Sequence, residues 1–154
     1  MRLRDRLTAA LKDAMKAREA DRTSTLRLIN AAIKDRDIAA RVGDGASEDG
    51  VSEAEIMAIL GKMVKQRHES ARMYEEGGRL ELAEKELAEI KVIEEYLPRQ
   101  LTAAEVAAAV DAAIAETGAG SIRDMGRVMA ALKTRHTGQM DFGAVGPMVK
   151  DRLA

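Results

Sequence analysis

Leucine, alanine and methionine return every three or four residues from the start of the chain. Leu3, Leu7, Leu11, Ala14 and Met15 fall on one stripe, which predicts a first helix to about Arg18. A second follows Asp21 or Thr23, with Leu26, Ile29 and Ile33 on one face, and ends near Val42-Gly43. Ser52-Glu53-Ala54-Glu55 reads as a capping box, in which the serine oxygen accepts from the amide three residues on and Glu55 reaches back. The helix it starts is predicted to bury Ile56, Ile59, Leu60, Met63 and Val64 and to reach Tyr74. Gly77-Gly78 ends it, because glycine takes the left-handed conformation that helix C-termini favour. The next helix is predicted from about Arg79 to Leu97, with Leu80, Ala83, Leu87, Ile90 and Ile93 inward.

Pro98 interrupts the pattern, since it has no amide to donate and disfavours helix at the residue before it. Thr102-Ala103-Ala104-Glu105 is a second capping box, opening a helix with Val106, Val110 and Ile114 that meets Gly118-Ala119-Gly120. Ser121 is expected to cap another, with Ile122, Met125, Val128, Met129 and Leu132 inward. A loop around His136 to Met140 leads to a last helix carrying Phe142, Val145, Val149 and Leu153. No alternating strand pattern and no repeat is present. The expected fold class is all-α: a bundle of about four helices over residues 1–97, then a smaller three-helix domain over 98–154.

The composition agrees with helices. Hydrophobic residues make up 46% and charged residues 33%, with 9 methionines and only three aromatics (Tyr74, Tyr96, Phe142). The net charge of −1 excludes strong nonspecific attraction of the whole molecule to nucleic acid and leaves room for a local patch. Residues 1–97 hold 18 Lys/Arg against 20 Asp/Glu, and residues 98–154 hold 7 against 6. Without cysteine there is no disulfide, thiolate metal site or cysteine nucleophile. The charged opening Met1-Arg2-Leu3-Arg4-Asp5-Arg6 leads into no apolar signal core, and no apolar run is long enough to span a membrane. A cytoplasmic protein is expected.

Candidate chemistry is sparse. The acidic segment Gly43 to Gly50 reads as a flexible loop. Asp44 to Glu55 has the length of a calcium loop, but Ala46 stands where an oxygen ligand belongs and Asp49 where the sharp turn needs glycine. His68 and His136 form no metal-binding spacing. Ser52 and Ser121 read as caps, while Ser24, Ser47 and Ser70 lack the surroundings of a nucleophile. No phosphate-cradling glycine loop is present, so no cofactor is implied. The eight acidic residues from Glu75 to Glu95 complement Lys62, Lys65, Arg67 and Arg72 on the preceding helix, as an antiparallel pair would require. More suggestive are the cations of the last helices: Arg123 and Arg127 one turn apart, then Lys133, Arg135 and His136, then Lys150 and Arg152. Packed as a hairpin, those helices would offer a basic edge to phosphates, without interleaved aromatics to stack bases. Cations near helix C-termini also offset the helix dipole, which is the structural alternative.

Four stretches, in order along nearly the whole chain, resemble the YqeY-like proteins of the GatB/YqeY family. They are Ser24 to Lys34 (STLRLINAAIK), Met63 to Ser70 (MVKQRHES), Leu82 through Tyr96-Leu97-Pro98-Arg99-Gln100-Leu101, and Asp124 to Lys133 (DMGRVMAALK). The resemblance implies an all-helical protein whose C-terminal domain is similar to the tail of the B subunit of tRNA-dependent amidotransferases. Those enzymes amidate misacylated tRNA with glutamine as donor, and the tail helps to hold tRNA. Their glutaminase subunit and ATP-dependent domain have no counterpart in this sequence. Gln139 stands where the family form carries a basic residue after the glycine, which removes one expected phosphate contact.

The resulting expectation is a non-catalytic helical adaptor that binds tRNA or a tRNA-handling protein. Arg123, Arg127, Lys133, Arg135 and Lys150 are its phosphate-positioning cations. Gly126 is expected to let two helices approach closely. Two other readings stand beside it: an accessory component of glutamine-dependent carbon–nitrogen ligase activity, and a protein–protein interaction module using the first helices.

Overall fold

The computed structural model describes residues 2–42 and 50–154. The acidic segment from Gly43, and with it most of the calcium-loop spacing, lies outside the described residues. Among the described residues the chain is all-helical, with seven α-helices: α1 (Leu3–Lys16), α2 (Ala20–Val42), α3 (Glu53–Glu76), α4 (Leu80–Glu94), α5 (Ala103–Thr117), α6 (Met125–Arg135) and α7 (Phe142–Leu153). A single 3₁₀ turn, Ile122–Asp124, precedes α6. The chain divides into two compact units, Met1–Leu97 and Pro98–Ala154.

In the first unit, Leu7, Leu26, Ile29, Ile56, Leu60 and Ile93 lose essentially all contact with solvent and form one core with Leu3, Ile33, Met63 and Tyr96. Each such side chain contributes about 1.5–3 kcal/mol relative to exposure. The helix ends are tied together by charge. Arg4 of α1 holds Asp37 of α2 through two bonds of 2.9 Å, and Asp37 also accepts the Val51 amide at 2.9 Å. Gly50 passes beside this cluster at φ +80, where a Cβ would come within 2.5 Å of Asp37 Oδ1. The free amide of Leu3 at the start of α1 donates to Glu53 at 2.7 Å, so a tertiary contact supplies a cap that Arg2 does not. At α3 the Ser52 oxygen accepts from Glu55 N as expected, but the Glu55 carboxylate lies against that same hydroxyl at 3.4 Å instead of returning to the backbone.

Helices α3 and α4 form a hairpin turned by Gly77 and Gly78, the second in the left-handed region at φ +75. The expected charge pairing between them is present: Arg67 holds Glu89 at 2.9 Å, with both side chains about 15% exposed. Several inward assignments fail. Leu80 and Leu87 are 62% and 38% exposed, and Ile122 is about half exposed. In α4, Ala83, Ile90 and Ile93 take the buried face, which leaves Leu80 and Leu87 on its flank.

The second unit has its own core of Val110, Ala113, Val128, Leu132, Val145, Val149 and Leu153. Thr102 and Glu105 complete the predicted capping box on α5, which ends in the left-handed Gly118. Helix α7 continues through Pro147. Its neighbour Gly146 has no Cβ to clash with the proline ring, and it lies buried 3.8 Å (as a Cβ) from the Met125 methyl. A Cβ on Gly126 would meet nothing within 4 Å, so Gly126 is not a close-approach glycine, and one on Gly146 would make only ordinary contact with the Met125 methyl.

Candidate nucleic-acid interface

The five expected cations lie on the α6 and α7 segment of the second unit, and the structure divides them. Arg127 is committed within the unit: one guanidinium nitrogen donates to Asp124 at 2.8 Å and another to the Thr117 carbonyl at 3.0 Å. Asp124 also accepts from Gly120 N at 3.0 Å, so the pair fastens the end of α5 to the start of α6. These bonds hold the Asp124 carboxyl below its ordinary range, the Gly120 amide first and Arg127 second. Arg135 is ion-paired to Glu116 of α5. Arg152 likewise reaches Asp111 of α5 at 2.7 Å, and Arg99 holds Glu105 with two bonds of 2.8 and 2.9 Å.

Arg123, Lys133 and Lys150 are exposed and have no carboxylate partner among the described residues. Arg123 lies in the 3₁₀ turn that precedes α6, and Lys133 lies in the last turn of α6. Lys150 is on α7, which packs against α6.

The loop before α7 is built by glutamines. Gln139 donates from its amide to the Arg99 carbonyl at 3.1 Å, and its oxygen faces His136 Nδ1 at 3.1 Å. Gln100 donates to the Gly138 carbonyl at 2.6 Å, and Leu101 N donates to Gln139 O at 3.0 Å. The non-basic residue at position 139 thus has a structural role, lacing the segment before α5 to the loop before α7. No signal short of the fold would have shown it.

Among the described residues no group of three or more His, Asp or Glu side chains is placed to hold a metal. In the first unit a cleft of about 340 Å³ is lined by Arg2, Arg4, Gly50 and Glu53 among others, but Arg4 and Glu53 are already bonded there. No helix among the described residues is long and apolar enough to cross a membrane.

Two compact helical units, without a strand among the described residues, define a small all-α protein. The profile of the Yqey-like protein family matches residues 4–153, and the chain belongs to that family. Curated relatives are matched over shorter stretches. A protein of Clavispora lusitaniae named altered inheritance of mitochondria protein 41, mitochondrial, is 38% identical over 59% of this chain and 49% of its own length. Its namesake in Meyerozyma guilliermondii is 39% identical over 56% of this chain and 42% of its own length. An uncharacterized protein of Schizosaccharomyces pombe is 28% identical over 57% of this chain and 66% of its own length. The matched stretch thus spans about half the length of the first of these relatives.

Proposed function

We propose that the protein is a non-catalytic adaptor that binds tRNA, or a protein that handles tRNA, through its second unit. The observation that carries this reading is the division of the cations: Arg127, Arg135 and Arg152 are matched to carboxylates, while Arg123, Lys133 and Lys150 are left for an external anion. Separated cations on a helical scaffold position a phosphate backbone without reading bases. The resemblance of this unit to the amidotransferase B-subunit tail points to the same kind of ligand. Accessory service in glutamine-dependent amidation rests on that resemblance alone. We place the protein in the cytoplasm; the names of the yeast relatives place those proteins in mitochondria.

The test is binding of purified protein to bulk tRNA across a salt series. Affinity is expected to fall steeply with salt, with a log–log slope near −2 to −3 for three phosphate contacts. Alanine at Arg123, Lys133 and Lys150 together should remove most of the binding and leave the thermal midpoint unchanged. Alanine at Arg127 and Arg135 should act mainly on stability. No binding at low salt, or equal loss in the two variants, would overturn the reading.

A further inference from the structure

We propose that α4 is a self-association surface, through which two copies of this chain pair antiparallel about Leu87. Leu80 and Leu87 lie two turns apart on one flank of α4, 62% and 38% exposed. Glu84 and Lys91 lie on the same stripe, both exposed, and neither has an ion-pair partner among the described residues. Positions 80, 84, 87 and 91 follow the three-and-four spacing that puts side chains in one line.

Seven residues separate Glu84 from Lys91, about 10 Å along the axis, so they cannot meet on one helix. A second copy placed antiparallel, with a two-fold axis between residues 87 and 88, brings Glu84 of each chain to Lys91 of the other. The same axis sets Leu87 against Leu87 with Ala88 beside it. A two-fold contact requires such self-complementarity, and this stripe has it twice over. The alternative register, with Leu80 opposite Leu87, buries more leucine but sets Glu84 against its own copy. Like-charge juxtaposition disfavours that register and selects the first. The surface lies in the first unit and is independent of the tRNA reading. The contact is one short stripe of a single helix, so the expected dimer is a weak one.

The experiment is sedimentation equilibrium of the full chain from about 10 µM to 1 mM, with helix content followed by circular dichroism. Wild type is expected to dimerise. Glu84→Lys alone and Lys91→Glu alone should each weaken the dimer about tenfold, because each replaces two attractions by two repulsions. The double variant Glu84→Lys/Lys91→Glu should return to within about threefold of wild type, as should an equal mixture of the two single variants. A monomer throughout, single variants that dimerise like wild type, or a double variant that stays as weak as the singles would each overturn the proposal.

Discussion

Arg4 and Arg67 in the first unit, and Arg99 and Arg127 in the second, all hold carboxylates at 2.8 to 2.9 Å. Their side chains differ in exposure: 29% and 15% in the first unit, 67% and 60% in the second. Equal geometry therefore carries unequal weight. Half-buried partners have given up water and lean on each other, while exposed partners exchange each other for solvent at little cost. In the first unit the Arg4–Asp37 and Arg67–Glu89 pairs each join two helices. In the second unit, Arg99 and Arg127 hold their carboxylates while remaining largely in solvent.

The largest effect should come from the first unit's fastener. Asp37→Ala leaves the Arg4 guanidinium and the Val51 amide without their acceptor, and should cost about 2–3 kcal/mol in urea denaturation. A loss below 0.5 kcal/mol, on the order of an exposed pair, would erase the contrast between the units. Next is Gly50→Ala, which places a side chain at positive φ against that same cluster and should cost about 1–3 kcal/mol by thermal unfolding.

In the second unit, Arg135→Ala should cost under about 1 kcal/mol despite its ion pair with Glu116, since both side chains are about half exposed. A cost equal to that of Asp37→Ala would show that this unit too depends on its charges. The smallest effect is a pH dependence. The Arg99 guanidinium, then the Thr102 amide, hold Glu105 down to about 2 from an ordinary 4.5. A lowered carboxyl pKa stabilises the folded state above the unfolded value, and that contribution is lost as pH falls from about 4.5 through about 2. The difference in thermal midpoint between wild type and Glu105→Gln should therefore shrink across that window. A difference that stays constant with pH would mean that the charge on Glu105 contributes nothing.

Helix order was readable in advance because periodicity and caps act within a few residues. The Thr102 box, Gly78 and Gly118 each stand where the pattern stops, and each performs its local task in the structure. Inward faces were read less well. Leu80 and Leu87 share the apolar period of their neighbours, but α2 and α3 cover only the Ala83, Ile90 and Ile93 side of α4. A stripe wider than its partner leaves its flank in water, and periodicity does not measure the partner.

The cations show the same division. That Arg127 sits one turn from Asp124 is written in the local spacing, so its pairing was open to reading. That Glu116 and Asp111 of α5 would take Arg135 and Arg152 was not, because those partners arrive from other helices.

By itself, then, the order of residues determined an all-helical chain, the order of its helices to within a few residues at their ends, and which side chains are charged. Those properties depend on short-range hydrogen bonding and on spacing along one helix. Tertiary structure decided which charges remain available: it matched four arginines of the second unit to carboxylates, left Arg123, Lys133 and Lys150 without one among the described residues, and assigned Gln139 to the backbone of Arg99. The reason is that an ion pair needs two groups within about 4 Å, and for residues on different helices only packing sets that distance.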